Sequence, residues 1–200
     1  MLCLAQATDP RWVAVALADL DAVLVDHAHC EIKAATNALS LASRAPDSAM
    51  AAALAALAEE EVQHFRQVLD ELSRRGLALG LPPQDAYASE LRAIAHRTRP
   101  KGRSQHETLL DRLLIGALIE ARSCERFQLL SEALKARGEA VLAAFYDDLF
   151  ACEARHYRTL FDLAVSAIGD EAIVRSRLAE LAHEEGILNA KLGGGASIHG

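Results

Sequence analysis

The chain has 200 residues with 21 basic and 28 acidic side chains, a net charge of −7, and is 52% apolar but only 4% aromatic; this excludes a disordered or fibrous chain and predicts one domain with a sizeable core. Four dispersed cysteines without a CxxC pair exclude a disulfide framework and point to a reducing, cytoplasmic setting. MLCLAQATDPRW lacks a signal-peptide pattern, no uncharged apolar run reaches membrane-spanning length, and bulk acidity disfavours non-specific nucleic-acid binding without excluding a local basic patch.

Alanine supplies about a fifth of the residues and β-branched residues are sparse, which favours helix. Asp9-Pro10 reads as an N-cap with proline at the first helical position, opening a helix that runs to about Ser43. Pro46-Asp47-Ser48 starts a second helix, which ends at Arg75 with Gly76 as its C-cap. A loop over 76–83 leads to a shorter helix near 85–98, broken by Pro100-Lys101-Gly102. Ser104 and Glu107 form a capping box for a third long helix, running to about Ala136. Gly138 turns the chain into a fourth, which stops near Gly169, and a fifth begins at Asp170 and frays near Leu192. The glycine-rich segment 193–200 reads as a flexible tail behind a single domain over 1–192. Two helical hairpins separated by a long connection predict an all-α, ferritin-like four-helix bundle with one long crossover and extra helices.

Two Glu-x-x-His motifs stand out, Glu61-Val62-Gln63-His64 and Glu153-Ala154-Arg155-His156, one in the second helix of each hairpin. Residues i and i+3 share a helix face, so each pair can grip one metal. Leu54, Leu57, Phe65 and Val68 flank the first motif; Tyr146, Leu149, Phe150 and Leu160 flank the second. The carboxylates therefore point inward, where an ionised group needs a partner or a metal. Dinuclear carboxylate bundles draw one further Glu from each preceding helix. Glu31 fits in the first, with Leu24, Ala28, Ala35 and Ala38 on its face and Asp26, His29, Lys33 and Asn37 opposite.

The third long helix offers Glu120 or Glu125. Glu120 shares its face with Leu113, Gly116, Ala117, Cys124 and Phe127, all small or apolar. Glu125 lies with Leu118 and Ala121 but also with Arg122, Gln128 and Glu132, although Cys124-Glu125 echoes Cys30-Glu31. Burial favours Glu120, leaving Glu125 as an ion-pairing residue for Arg122 or Arg126. The expected metal set is thus Glu31, Glu61, His64, Glu120, Glu153 and His156. Oxygen-rich ligation with two imidazoles suits iron or manganese better than zinc. Six ligands leave open positions for O2, and the cysteines beside the ligands read as small packing residues.

The runs VLVDHAHCEIKAATNALSL (23–41), EEEVQHFRQVLDEL (59–72), LLIGALIEARSCERFQLL (113–130) and FYDDLFACEARHYRTLFDLA (145–164) resemble the MiaE-type tRNA hydroxylases over about residues 10–165. The resemblance implies a non-haem di-iron monooxygenase with two iron ions and O2 as co-substrate. Its substrate would be tRNA, hydroxylated on the isopentenyl group of 2-methylthio-N6-isopentenyladenosine next to the anticodon, with electrons from an external donor. Glu31, Glu61, His64, Glu153 and His156 are the matching ligands, with the third-helix Glu inside IEARSCERF. The resemblance is not carried past about Ile168, so it assigns no substrate contacts there.

Residues 91–106 carry Arg92, Arg97, Arg99, Lys101 and Arg103 with no acid. Those five are the candidate phosphate contacts to RNA, against the plainer reading of a solvated basic connector. His29, His183 and His199 read as surface or tail residues. Two other functions fit the pattern: a ferritin-like iron- or peroxide-handling bundle of ferroxidase or di-manganese catalase type, and a metal-free helical interaction protein in which buried Glu and His merely pair.

Overall fold

The structure, a computed structural model, describes residues 2–82, 85–99 and 104–199. Among these residues there are seven helices and no strand: α1 (Arg11–Ala18), α2 (Leu20–Ala42), α3 (Ser48–Arg75), α4 (Ala86–Arg97), α5 (Gln105–Ala136), α6 (Ala140–Ile168) and α7 (Glu171–Leu192). Their boundaries follow local chemistry. Asp47 accepts from the Met50 amide and Asp85 from that of Ala88. Ser104 and Glu107 form a complete capping box. Gly76 and Gly169 close α3 and α6 in the left-handed conformation, at φ 68° and 75°, which glycine adopts without a Cβ penalty.

One boundary departs from expectation. The single helix anticipated from Pro10 to Ser43 is interrupted at Asp19, whose backbone leaves helical values (φ −138°, ψ 63°). Its side chain accepts from the Ala22 amide at 3.1 Å and so starts α2 afresh. A short acid that bonds its own backbone competes with the helix, and the apolar run on either side hides that break in the sequence.

Where the sequence suggests one domain over 1–192, the chain falls into two compact units. One is the α2–α3 hairpin with residues 196–198. Its buried positions recur every three or four residues, Leu24, Ala28, Glu31, Ala35 and Ala38 on α2 and Leu54, Leu57, Glu61, His64 and Val68 on α3, which is the stripe an amphipathic helix turns to its partner. Within this unit Ile198 is fully buried and its amide donates to Asp26 Oδ2 at 2.6 Å.

The other unit holds α1, α4, α5, α6 and α7. α5 is buried on nearly every face, from Leu110 to Leu134, and carries two fully buried arginines. Such cations are tolerated only when paired and hydrogen-bonded. Arg122 donates to both carboxylate oxygens of Glu185 on α7, at 2.9 and 2.7 Å, and also to the Gln6 carbonyl and Glu125. Arg126 lies 4.7 Å over the Trp12 ring and donates to Asn189 Oδ1 and the Gly193 carbonyl. Burial, followed by the charge of Arg122, pulls the Arg126 pKa down to about 10. His199 stacks on Tyr87 and lies 3.0 Å from Ser123 Oγ. Residues 193–199, expected as a flexible tail, therefore make specific contacts. No helix among the described residues is long and apolar enough to cross a membrane.

Replacing Glu185 by Ala strips Arg122 of its main counter-charge. The variant should lose roughly 3–5 kcal/mol of stability, read as a lowered urea midpoint at unchanged m-value.

Candidate metal centre

In the α2–α3 unit three predicted ligands converge. Glu31, Glu61 and His64 are all buried. His64 Nδ1 lies 3.6 Å from Glu31 Oε2 and 3.4 Å from Glu61 Oε2. Those separations are too long for hydrogen bonds. They lie at or just beyond the spacing of about 3–3.5 Å between atoms that ligate one cation at about 2.1 Å. The donor set of two carboxylates and one imidazole, without sulfur, suits an oxygen-preferring divalent metal such as iron or manganese. The fit is therefore good.

In the other unit α5 contributes Glu120 and α6 contributes Glu153 and His156, all three buried. His156 Nδ1 stands 3.1 Å from Glu153 Oε2, so the second motif is also closed on one helix face. Glu125 is occupied elsewhere: its carboxylate accepts from the Thr8 amide and hydroxyl and pairs with Arg122. Burial pushes the Cys124 thiol up to about 12, and the negative charge of Glu153 adds to the effect. Cys124 is thus a protonated packing group at neutral pH rather than a thiolate ligand.

Sequence reasoning missed His27. It is fully buried on α2, four residues before Glu31, with Nε2 2.6 Å from Glu31 Oε1. The i, i+4 spacing was the available signal. His29 was expected on the solvent side but is buried, 3.1 Å from the Leu79 carbonyl; His183 is exposed, as anticipated.

The basic stretch divides. Arg92 and Arg97 are exposed on α4. Arg99 is drawn inward instead, bound to Asp111 through Nε at 3.1 Å and Nη2 at 3.0 Å and facing Glu107 at 3.3 Å. Its head is committed to structure and not offered to phosphate. Lys101 and Arg103 lie outside the described residues.

The sequence matches the family described as tRNA-(MS[2]IO[6]A)-hydroxylase (MiaE) over residues 1–199. The chain belongs to the MiaE family. It is 40% identical over 175 residues to the tRNA 2-(methylsulfanyl)-N(6)-isopentenyladenosine(37) hydroxylase of Pseudomonas putida, covering 87% of this chain and 80% of that protein. It is 34% identical over 121 residues to the enzyme of the same name from Salmonella typhimurium, covering 60% of this chain and 41% of that protein. A solved structure, described as protein 43 with aldehyde deformylating oxygenase activity from Synechococcus, superposes with a TM-score of 0.81 at 34% identity over all of this chain and 96% of that one. The fold of this MiaE-family chain is accordingly all-α and ferritin-like.

The half-buried Cys3 thiol and the buried Cys124 thiol give a stability signature. Burial raises Cys3 to about 11 and Cys124 to about 12, from an ordinary 9.0. An unfolded chain releases these protons near pH 9 while the folded chain keeps them, so the unfolded state binds fewer protons between pH 9 and 12. The contribution is fully present below pH 9 and is lost as pH rises through 11 and 12. Chemical denaturation between pH 8 and 11 should show falling stability, with a shallower slope in Cys124→Ala.

Proposed function

We propose that this chain is an O2-dependent tRNA hydroxylase acting on the isopentenyl group of 2-methylthio-N6-isopentenyladenosine next to the anticodon. The observation that carries the reading is the family match across 1–199. The donor set supports it, since Glu61 with His64 in one unit and Glu153 with His156 in the other are each a buried carboxylate–imidazole pair of the kind that holds a metal ion. In this reading Glu31, Glu61 and His64 supply one half of a di-iron centre and Glu120, Glu153 and His156 the other. Glu120 is assigned over Glu125 because Glu125 already serves Thr8 and Arg122.

Bound iron supplies the activation of O2 that side chains alone do not provide. Overall, one oxygen atom of O2 enters a C–H bond of the substrate and the other leaves as water, with the electrons and protons coming from an external reductant. The chain's own part is to fix the carboxylates and imidazoles in place, to keep water from the centre and to orient the modified adenosine. Arg92 and Arg97 are the phosphate contacts within the described residues.

The direct test loads the protein anaerobically with ferrous iron, then adds O2, a generic reductant and tRNA bearing the modified nucleoside. Mass spectrometry should show that nucleoside gaining one oxygen; an unchanged nucleoside with iron-replete protein would sink the reading. A ferroxidase or catalase would instead turn over iron or peroxide with no need of tRNA.

Two variant sets refine the assignment. Glu120→Ala should lower iron from about two ions per chain to about one or fewer, while Glu125→Ala keeps its iron and loses stability. Normal iron in Glu120→Ala would transfer the role elsewhere. Arg92→Ala with Arg97→Ala should weaken tRNA binding and flatten its salt dependence by about 0.7 in log–log slope for each phosphate no longer neutralised.

A further inference from the structure

One turn before Glu31, α2 carries a second buried polar side chain whose role the six ligands leave unassigned. His27 is fully buried and Glu31 is 4% exposed, four residues apart on one helix face. His27 Nε2 stands 2.6 Å from Glu31 Oε1. A carboxylate oxygen only accepts, so Nε2 carries the hydrogen and donates it. The other oxygen of the same carboxylate, Oε2, faces His64 Nδ1 at 3.6 Å. The two oxygens of Glu31 are thereby distinguished, Oε1 turned to the histidine of its own helix and Oε2 to the motif on α3.

The other unit is built differently at the corresponding place. Four residues before Glu120 stands Gly116, and a Cβ there would meet Leu160 Cδ1 at 3.0 Å. The position four residues before the glutamate thus carries an imidazole donor on α2 and no side chain on α5.

We propose that His27 is a positioning residue that fixes Oε1 of Glu31 and presents Oε2 for ligation in the α2–α3 unit. The inference rests on the reading of these glutamates as iron ligands. A donor behind a ligating carboxylate fixes its orientation, and loss of such a partner typically costs 10–100-fold in metal affinity.

The test compares His27→Leu, which fills the volume without a donor, with His27→Gln, whose amide can still donate to Oε1. Iron stoichiometry and affinity are measured under anaerobic loading, with Mössbauer spectra of the two sites and circular dichroism as the folding control. Wild type should bind two irons with two resolvable spectral components. His27→Leu should weaken one site by roughly 10–100-fold and change one component only, while His27→Gln recovers most of both. Two tightly held irons with an unaltered spectrum in His27→Leu would overturn the proposal. So would His27→Gln as defective as His27→Leu, which would make the imidazole itself a ligand. Should the Leu variant fail to fold, the Gln variant decides: retention of both sites upholds positioning, and loss of one overturns it. Absence of iron from wild type would be a different failure, that of the ligand assignment.

Discussion

An ionised carboxylate in a protein interior costs several kcal/mol unless something opposes its charge, and the way each buried acid is opposed divides this molecule by task. Asp111 and Glu185 face arginine: Asp111 takes Arg99 and Arg177, and Glu185 takes Arg122 with a hydrogen bond from Tyr87. Glu31, Glu61 and Glu153 stand beside histidines instead. Guanidinium is a permanent cation that satisfies a carboxylate outright, so the first group builds scaffold. Imidazole is neutral or cationic by circumstance and ligates metals as well as it hydrogen-bonds. The second group is thus the one whose charge a bound cation can balance.

The arginine network also explains how α5 can present a buried glutamate without losing its position. Arg122, Glu125 and Arg126 follow within six residues of Glu120 and bind the N-terminal segment at Gln6 and Thr8, the Trp12 ring and α7. A ligand is useful only if its backbone is held to a fraction of an ångström, and these contacts come from chain segments more than 60 residues away in either direction. The same network consumes Glu125, whereas Glu31, which also follows a cysteine, faces two histidines.

What could be read from the sequence was local. Capping residues Asp47, Ser104 with Glu107, Gly76 and Gly169 act within four residues of themselves, and the Glu-x-x-His motifs are one-turn patterns; their placement on α3 and α6 needed no tertiary knowledge. What escaped depended on partners distant in sequence. The 193–199 segment looks like a linker by composition, yet Ile198 finds Asp26 and His199 finds Tyr87 and Ser123. Arg99 looks like part of a basic patch until Asp111, twelve residues on, claims it. Asp19 is the exception, a local break missed because an acid between apolar residues also suits an amphipathic helix. His27 is hidden for the opposite reason: Leu24, Ala28 and Ala35 make its side of α2 read as apolar packing.

The loss of Arg99 from the basic stretch bears on how a chain of net charge −7 would recognise RNA. The exposed face of α4 keeps Arg92, His96 and Arg97, with Glu90 3.9 Å from Arg97. Each phosphate neutralised adds only about 0.7 to the log–log salt slope for a single strand, so the two exposed arginines among the described residues of this stretch would contribute a shallow part of that dependence. Phosphate contacts of this kind fix orientation and carry no sequence information.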